Sequence, residues 1–376
     1  MDFDKERRGF PKPLPEKIRE AREARGYTLE TLAEALGVSK QAVAQYETGQ
    51  SAPGGEVMSG IVTMTRQPLS FFTTPRARRG EPSSPYWRSL VRMDLVHRRR
   101  IGRRLQWVSD IVDYVSDFIE VPAVNIVRSD FEADYDQDQQ IECAAEALRE
   151  LWNLGDGPIR DLAATLEENG VVIVREPVSC SDMDGVSCWV GGRPYILLSG
   201  EVESGPRDLF NLAHELGHLV LHAGVDIDST NLKRIEAQAN RFASAFLLPR
   251  QQFAREVFGT SIAHFISLKR RWGVAISAMA YRCKDLEIIS QDQFSYIMRQ
   301  MNAQRIRRIE PLDDAFCVSE PRMLRQAIEM LVEHGVQSRA QIEEALVLNL
   351  TDVESLCGLR VGYLDNRVVK LRFREA

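Results

Sequence analysis

The chain lacks any apolar run of the roughly 18–20 residues needed to cross a bilayer. Its opening residues, M-D-F-D-K-E-R-R, do not read as a secretory signal. Its six cysteines are scattered, with no C-x-x-C pair. That pattern argues against a disulfide scaffold and is expected of reduced thiols in a cytoplasmic protein with no membrane partner. Cys180 and Cys188 flank a turn and leave a redox pair open, with core thiols the simpler reading. There is no internal repeat.

What is present is apolar bulk and a divided charge. A hydrophobic fraction of 44% is ordinary for folded protein, and 376 residues support two or three domains. The net charge of −6 hides an asymmetry. Residues 1–104 carry 20 Lys+Arg against 12 Asp+Glu, whereas the remainder carries 28 against 42. A basic module joined to an acidic body fits a regulator that contacts nucleic acid.

Residues 209–222 read L-F-N-L-A-H-E-L-G-H-L-V-L-H. The apolar residues fall at helical spacing, so the segment reads as a buried helix. His214 and His218, four apart, share one face and can grip a single Zn²⁺. Glu215 beside them is placed as general base. Burying His, Glu and His without partners costs about 1–3 kcal/mol each, and a metal is the natural partner. The alternative is a pair of core histidines satisfied by carbonyls.

A hydrolytic zinc site needs a third protein ligand and one open position. His222 is eight residues beyond His214, roughly 12 Å along a continuous helix, too far for all three rings to meet one ion. Glu236 is the better candidate. It shares a helical face with Asn240 and Ala243, while Ala239, Phe242, Phe246 and Leu247 form a packing stripe. The loop 222–231 is long enough to turn this second helix antiparallel to the first, its small Ala residues allowing close approach. Asn240 is then expected to support a ligand from behind. The bland reading of Glu236 is an exposed helix carboxylate.

These residues, H-E-x-x-H at 214–218 followed by Glu236, Ala239, Asn240, Phe242, Ala243 and L-L-P at 247–249, resemble the ImmA/IrrE family of zinc metallopeptidases, over roughly residues 140–250. The resemblance implies cleavage of a repressor in a phage, mobile-element or stress circuit. It implies His214, His218 and Glu236 as ligands, Glu215 as base, and a supporting place for His222, for which a helix-end histidine is the equal alternative. Short strands are expected at 171–175, 186–190 and 194–199. The last is read either as an edge strand beside the metal that receives substrate by β-addition or as support for the site. Tyr195, His264 and Tyr281 are the candidate oxyanion donors, each as readily core or surface.

The N-terminus carries a second signal. Residues 14–25 and 27–36 read as amphipathic helices, the second capped by Thr28. Gly37, Val38 and Ser39 make a tight turn into a third helix, 40–48, ending at Gly49. This resembles the lambda-repressor/Cro-like (XRE) helix-turn-helix on Ala33, Gly37, Ser39, Gln41, Glu47, Gly49 and Pro53. The resemblance implies a double-stranded DNA operator read by Ser39, Lys40, Gln41 and Gln45, and a homodimer, since one such motif reads a half-site. Glu47 reads as structural. Arg98–Arg100, Arg103 and Arg104 are read equally as phosphate contacts or a solvated helix face.

The expected fold is therefore multidomain and mostly α. It comprises a flexible arm (1–13), an all-α helix-turn-helix domain (14–75) and a linker with a connecting helix (76–135). An α+β zinc-peptidase domain with a small sheet (136–250) and a helical C-terminal region (251–376) follow. Within the last, 268–282 looks like a further helix-turn-helix that packs on the peptidase. The expected function is a DNA-binding regulator with a zinc-dependent endopeptidase acting on a repressor or on itself. The alternative is a transcription factor or antitoxin whose zinc domain is a sensor or dimerisation body.

Overall fold

The computed structural model describes residues 12–75, 94–128, 138–176, 184–200, 204–225 and 229–365. In chain order these form α1 (Pro15–Ala24), α2 (Leu29–Leu36), α3 (Lys40–Thr48), α4 (Gly55–Thr65), α5 (Leu69–Thr73), α6 (Leu95–Ser116), α7 (Asp138–Leu151) and α8 (Leu162–Glu168). The strands β1 (Val172–Glu176), β2 (Gly185–Val190) and β3 (Arg193–Ser199) follow. Then come α9 (Gly205–Leu221), α10 (Leu232–Leu247), α11 (Arg250–Glu256), α12 (Ile262–Trp272), α13 (Ile276–Asp285), α14 (Gln291–Ala303), α15 (Met323–Glu333), α16 (Arg339–Leu346) and α17 (Leu350–Cys357). The class is multidomain and mostly α, with one small sheet, as expected. Most of the expected arm, residues 76–93 of the expected linker and Cys180 lie outside the described residues.

Two units emerge. One draws on Met1–Glu81, Met93–Ile119 and Arg325–Ala376, the other on Pro82–Arg92 and Glu120–Leu324. In the first, local chemistry sets the helix ends. Pro15 opens α1 with a φ suited to a first turn. Thr28 Oγ1 accepts from Thr31 N–H at 3.0 Å to start α2, and Ser39 Oγ accepts from Ala42 N–H at 3.1 Å to start α3. Gly37 closes α2 at φ 65°, a left-handed turn that a Cβ would strain. Leu32, Ala33 and Val43 are buried where α2 crosses α3, with Leu36 and Val38 against them. Glu47 is buried and paired with Arg22, whose Nη2 donates to Oε2 at 2.9 Å, so its role is structural as read from the sequence.

The expected linker helix and C-terminal region belong in part to this first unit. Trp107 of α6 meets Phe71 edge-on and donates its Nε1–H to Glu20 Oε1 at 2.7 Å. Asp352 of α17 is 5% exposed and accepts four hydrogen bonds. Arg25 gives two, at 2.8 and 2.6 Å, Arg104 of α6 one at 2.7 Å and Gln67 one at 2.6 Å. Gln67 Oε1 in turn accepts from Asn349 N–H at 3.0 Å. Residues 251–376 are thus divided, because a buried carboxylate on α17 needs the cations of the N-terminal helices. The phosphate reading of the basic stretch is narrowed by the same bonds. Arg104 is buried against Asp352, and Arg103 donates to Glu23 at 2.9 Å.

In the second unit the sheet order is β1-β3-β2. β3 runs parallel to β1, Tyr195 opposite Val172, and antiparallel to β2, Tyr195 opposite Cys188. The expectation that 194–199 is an edge strand is therefore corrected. Both sides of β3 carry ladder partners, and no backbone edge is left to receive a peptide. Its unbroken burial from Pro194 to Ser199 is that of a central strand.

The segment at 268–282 does form a helix-turn-helix. Gly273 at φ 68°, Val274 and Ala275 join α12 to α13 as Gly37, Val38 and Ser39 join α2 to α3. Its second helix begins against protein. The Glu310 carboxylate accepts from Ile276 N–H at 2.7 Å, Ser277 N–H at 3.1 Å and the fully buried Lys269 Nζ at 2.9 Å.

Burial raises the proton affinity of Asp352, but Arg104 and Arg25 outweigh it and hold the carboxyl below its ordinary value. A group so depressed stabilises the fold at pH above its unfolded value near 3.8 and loses that contribution as pH falls through the folded value. Asp352→Ala should therefore cost about 3–5 kcal/mol at pH 7, by leaving two guanidinium groups without their anion. Denaturant unfolding followed by a probe in residues 12–75 measures this, and an unchanged midpoint would contradict it.

Candidate metal centre

The centre is built by two helices and one strand. Pro206 stands in the first turn of α9, and the apolar face of α9 (Leu209, Leu212, Ala213, Leu216, Leu219, Val220) is buried in the main core. That orientation turns His214 and His218 outward together. Their Nε2 atoms lie 3.1 Å apart. Glu236 of α10 brings Oε2 to 3.8 Å from His214 Nε2 and Oε1 to 3.6 Å from His218 Nε2. One atom from each residue falls within a 4.8 Å cluster, the only such metal-ligating group among the described residues.

Close approach of α9 and α10 is what brings Glu236 there. A Cβ on Gly217 would lie 3.2 Å from Ala239 O and 3.3 Å from Ala239 Cα. The Ala-rich face of α10, read from the sequence, is met by a glycine on α9 whose role was not.

The residues behind the ligands complete the fit. Asn240 Oδ1 lies 3.0 Å from His214 Nδ1. An amide oxygen there takes the Nδ1–H and leaves the Nε2 lone pair facing Glu236. His218 Nδ1 is 3.1 Å from His222 Nδ1, and His222 Nε2 is 3.0 Å from Gln238 Oε1. Burial holds His218 well below the usual imidazole value, with the neighbouring histidines adding to the effect. Burial likewise pulls His222 down to about 4, against the opposing bond to Gln238. Both rings are therefore neutral at pH 7. Two imidazole nitrogens and a carboxylate oxygen converge here, and this donor set suits zinc.

Glu215 is buried beside this cluster, on α9 between the two histidines. Ser187 Oγ of β2 donates to its Oε2 at 2.7 Å. Burial raises its proton affinity, with Glu236 and Asp184 adding, and His214 and the Ser187 bond opposing. Gly185 leaves room for it, since a Cβ there would sit 3.2 Å from Glu215 Oε1. Ser187, Gly185 and Gln238 were not singled out in the sequence. Each becomes a site residue through a contact that no local motif marks. Of the oxyanion candidates, His264 Nε2 accepts from Phe258 N–H at 3.1 Å, Tyr281 packs on Phe294 with centroids 4.7 Å apart, and Tyr195 is buried in β3.

The residues expected to read DNA are the N-cap of α3 and three positions within it. Lys40 and Gln41 are exposed and Gln45 is half-buried. Ser39 Oγ is occupied by the helix cap, and Lys40 Nζ lies 3.6 Å from Glu30 on α2.

The fold and centre thus place a helix-turn-helix module in one chain with an H-E-x-x-H motif whose two histidines and Glu236 could hold a metal ion. Comparison with known families agrees. Residues 166–284 match the peptidase family described as the IrrE N-terminal-like domain, and residues 18–71 match the helix-turn-helix family. One chain thus carries both matches, the second of the XRE-like kind. No curated protein matches it.

The Gly217 contact gives a test of how the centre is assembled. Gly217→Ala gains about 1 kcal/mol of helix propensity but drives a methyl into the backbone of Ala239, where overpacking costs about 1–3 kcal/mol. We expect a net loss of stability in thermal or denaturant unfolding, together with weaker zinc binding as α10 is pushed away. A variant more stable than wild type with unchanged zinc affinity would contradict the packing account.

Proposed function

We propose that this protein is a transcriptional regulator whose zinc-dependent endopeptidase domain cleaves a repressor, in trans or in the chain itself, within a phage, mobile-element or stress circuit. The observation that carries the reading is the buried Glu215 carboxylate set between His214 and His218, with Glu236 opposite. A purely structural metal site has no use for an acid–base group held at that point. His214, His218 and Glu236 would hold the metal. Zinc bound there supplies Lewis-acid polarisation of a peptide carbonyl and lowers the pKa of water to about 7.

The chain's own residues carry the proton. Ser187 holds Oε2 of Glu215 and so fixes the orientation of the carboxylate. Glu215 takes a proton from the attacking water and delivers it to the departing amine nitrogen. Its burial suits both halves of that exchange, because a carboxyl with raised proton affinity is a better acceptor and still gives the proton up. Asn240 and His222 orient the ligand imidazoles.

The DNA-binding half fits an operator bound as a homodimer, with the start of α3 in the major groove and Lys40, Gln41 and Gln45 toward the bases. Ser39, spent on its cap, would contact phosphate through its backbone. The chain is read as cytoplasmic. The described residues contain no helix long and apolar enough to cross a membrane. A second reading, a transcription factor or antitoxin whose metal domain is a sensor or dimerisation body, is favoured by the covalent fusion to a DNA-reading module.

Wild type and Glu215→Gln, each zinc-loaded, are incubated with repressor proteins of the same host and on their own, and the products are read by intact mass. A discrete cleavage product should form with wild type and not with Glu215→Gln. Equal cleavage by both would contradict the role of Glu215, and no cleavage by either, with operator binding intact, would favour the second reading. Gln41→Ala with Gln45→Ala should relax operator choice by about 1–3 kcal/mol per lost contact and leave cleavage untouched. Unchanged operator affinity would remove α3 as the reading helix.

A further inference from the structure

We infer that Gln238, acting through His222, is a positioning residue that fixes which nitrogen of His218 is free to bind a metal. The inference rests on reading His218 as a ligand. It assigns to Gln238 a role that neither the motif nor the family match carries.

With the amide oxygen of Gln238 toward His222, the chain of contacts takes one set of protons. Gln238 Oε1 is an acceptor, so the His222 Nε2 that faces it at 3.0 Å must donate. A neutral imidazole has one N–H. With Nε2 protonated, His222 Nδ1 is an acceptor. It faces His218 Nδ1 at 3.1 Å, which must then supply the proton. His218 Nε2 is left with its lone pair, and that is the nitrogen 3.6 Å from Glu236 and 3.1 Å from His214 Nε2. Reversing the chain would protonate His218 Nε2 and close the face that the metal needs.

A second observation shows why Gln238 is there. It is 6% exposed on the packing side of α10, near Ile235 and Phe242 in the helical repeat, where an apolar residue would pack without penalty. Its Nε2 is buried and has no hydrogen-bond partner. A buried amide nitrogen whose N–H groups are unmet costs stability and calls for an explanation. The use of its oxygen by His222 is that explanation. α10 then acts on both ligand histidines as well as supplying Glu236. Asn240 sets His214 directly, and Gln238 sets His218 through one intervening ring.

The test compares full-length wild type with Gln238→Met, which keeps side-chain length and removes the acceptor, and Gln238→Glu, which restores an acceptor oxygen. Zinc affinity is measured by chelator competition, and the His222 tautomer by long-range ¹⁵N–¹H NMR on metal-free protein. Wild type should show His222 protonated at Nε2. Gln238→Met should lose that tautomer and bind zinc roughly 10–100-fold more weakly, while Gln238→Glu keeps the tautomer and binds within a few-fold of wild type. A purely structural role for Gln238 would leave the tautomer unmoved. Protonation of wild-type His222 at Nδ1, or zinc binding by Gln238→Met as tight as wild type, would overturn the inference. If wild type binds no zinc, the metal-site reading fails instead, and the tautomers of metal-free wild type and Gln238→Met still decide the relay.

Discussion

The metal centre depends on how closely two helices can approach at one point. α9 carries both histidines and the acid–base group, and α10 carries the third ligand and the polar side chains behind the rings. The missing side chain at Gly217 lets the backbone of Ala239 come within van der Waals reach. An added methyl costs more through overpacking than it returns as helix propensity. The interval between α9 and α10 is therefore set by packing, and the separation of Glu236 from the two Nε2 atoms follows from it.

The same logic, polar groups placed where the core must accommodate them, recurs in the first unit. Asp352 is buried far along the chain and is neutralised by Arg25 and Arg104, with Gln67 filling the remaining lone-pair position. Breaking such a cluster is costlier than forming it is profitable, so it acts more as a specifier of which segments belong together than as a source of net stability. It recruits α17 to the helix-turn-helix module across the whole intervening peptidase sequence. At the other helix-turn-helix, the Glu310 carboxylate closes the first turn of α13, and that likeness of fold does not carry a likeness of use.

What could be read from the sequence follows how local each signal is. The caps at Thr28 and Ser39, the left-handed Gly37 and the i, i+4 pair of histidines depend on neighbours within a turn, and the structure has each where local chemistry puts it. The pairing of Glu236 with those histidines was accessible because helical periodicity identified the face and the loop length allowed the return. Ser187 on Glu215, Gln238 on His222 and Arg104 on Asp352 join residues 28, 16 and 248 positions apart, and no short-range pattern distinguishes them from ordinary polar positions. The misplacement of β3 has a similar cause. Alternation and apolar content describe a strand's faces, whereas its rank in the sheet is set by which neighbours bond its two edges.

The most direct measurement is zinc per chain, by elemental analysis of purified wild type, His218→Ala and Glu236→Ala. The account predicts about one zinc in wild type and loss from both variants, because α9 and α10 each contribute indispensable ligands to one site. Zinc retained at full stoichiometry and affinity by Glu236→Ala would contradict it, since the ion would then be held without the helix whose approach defines the centre.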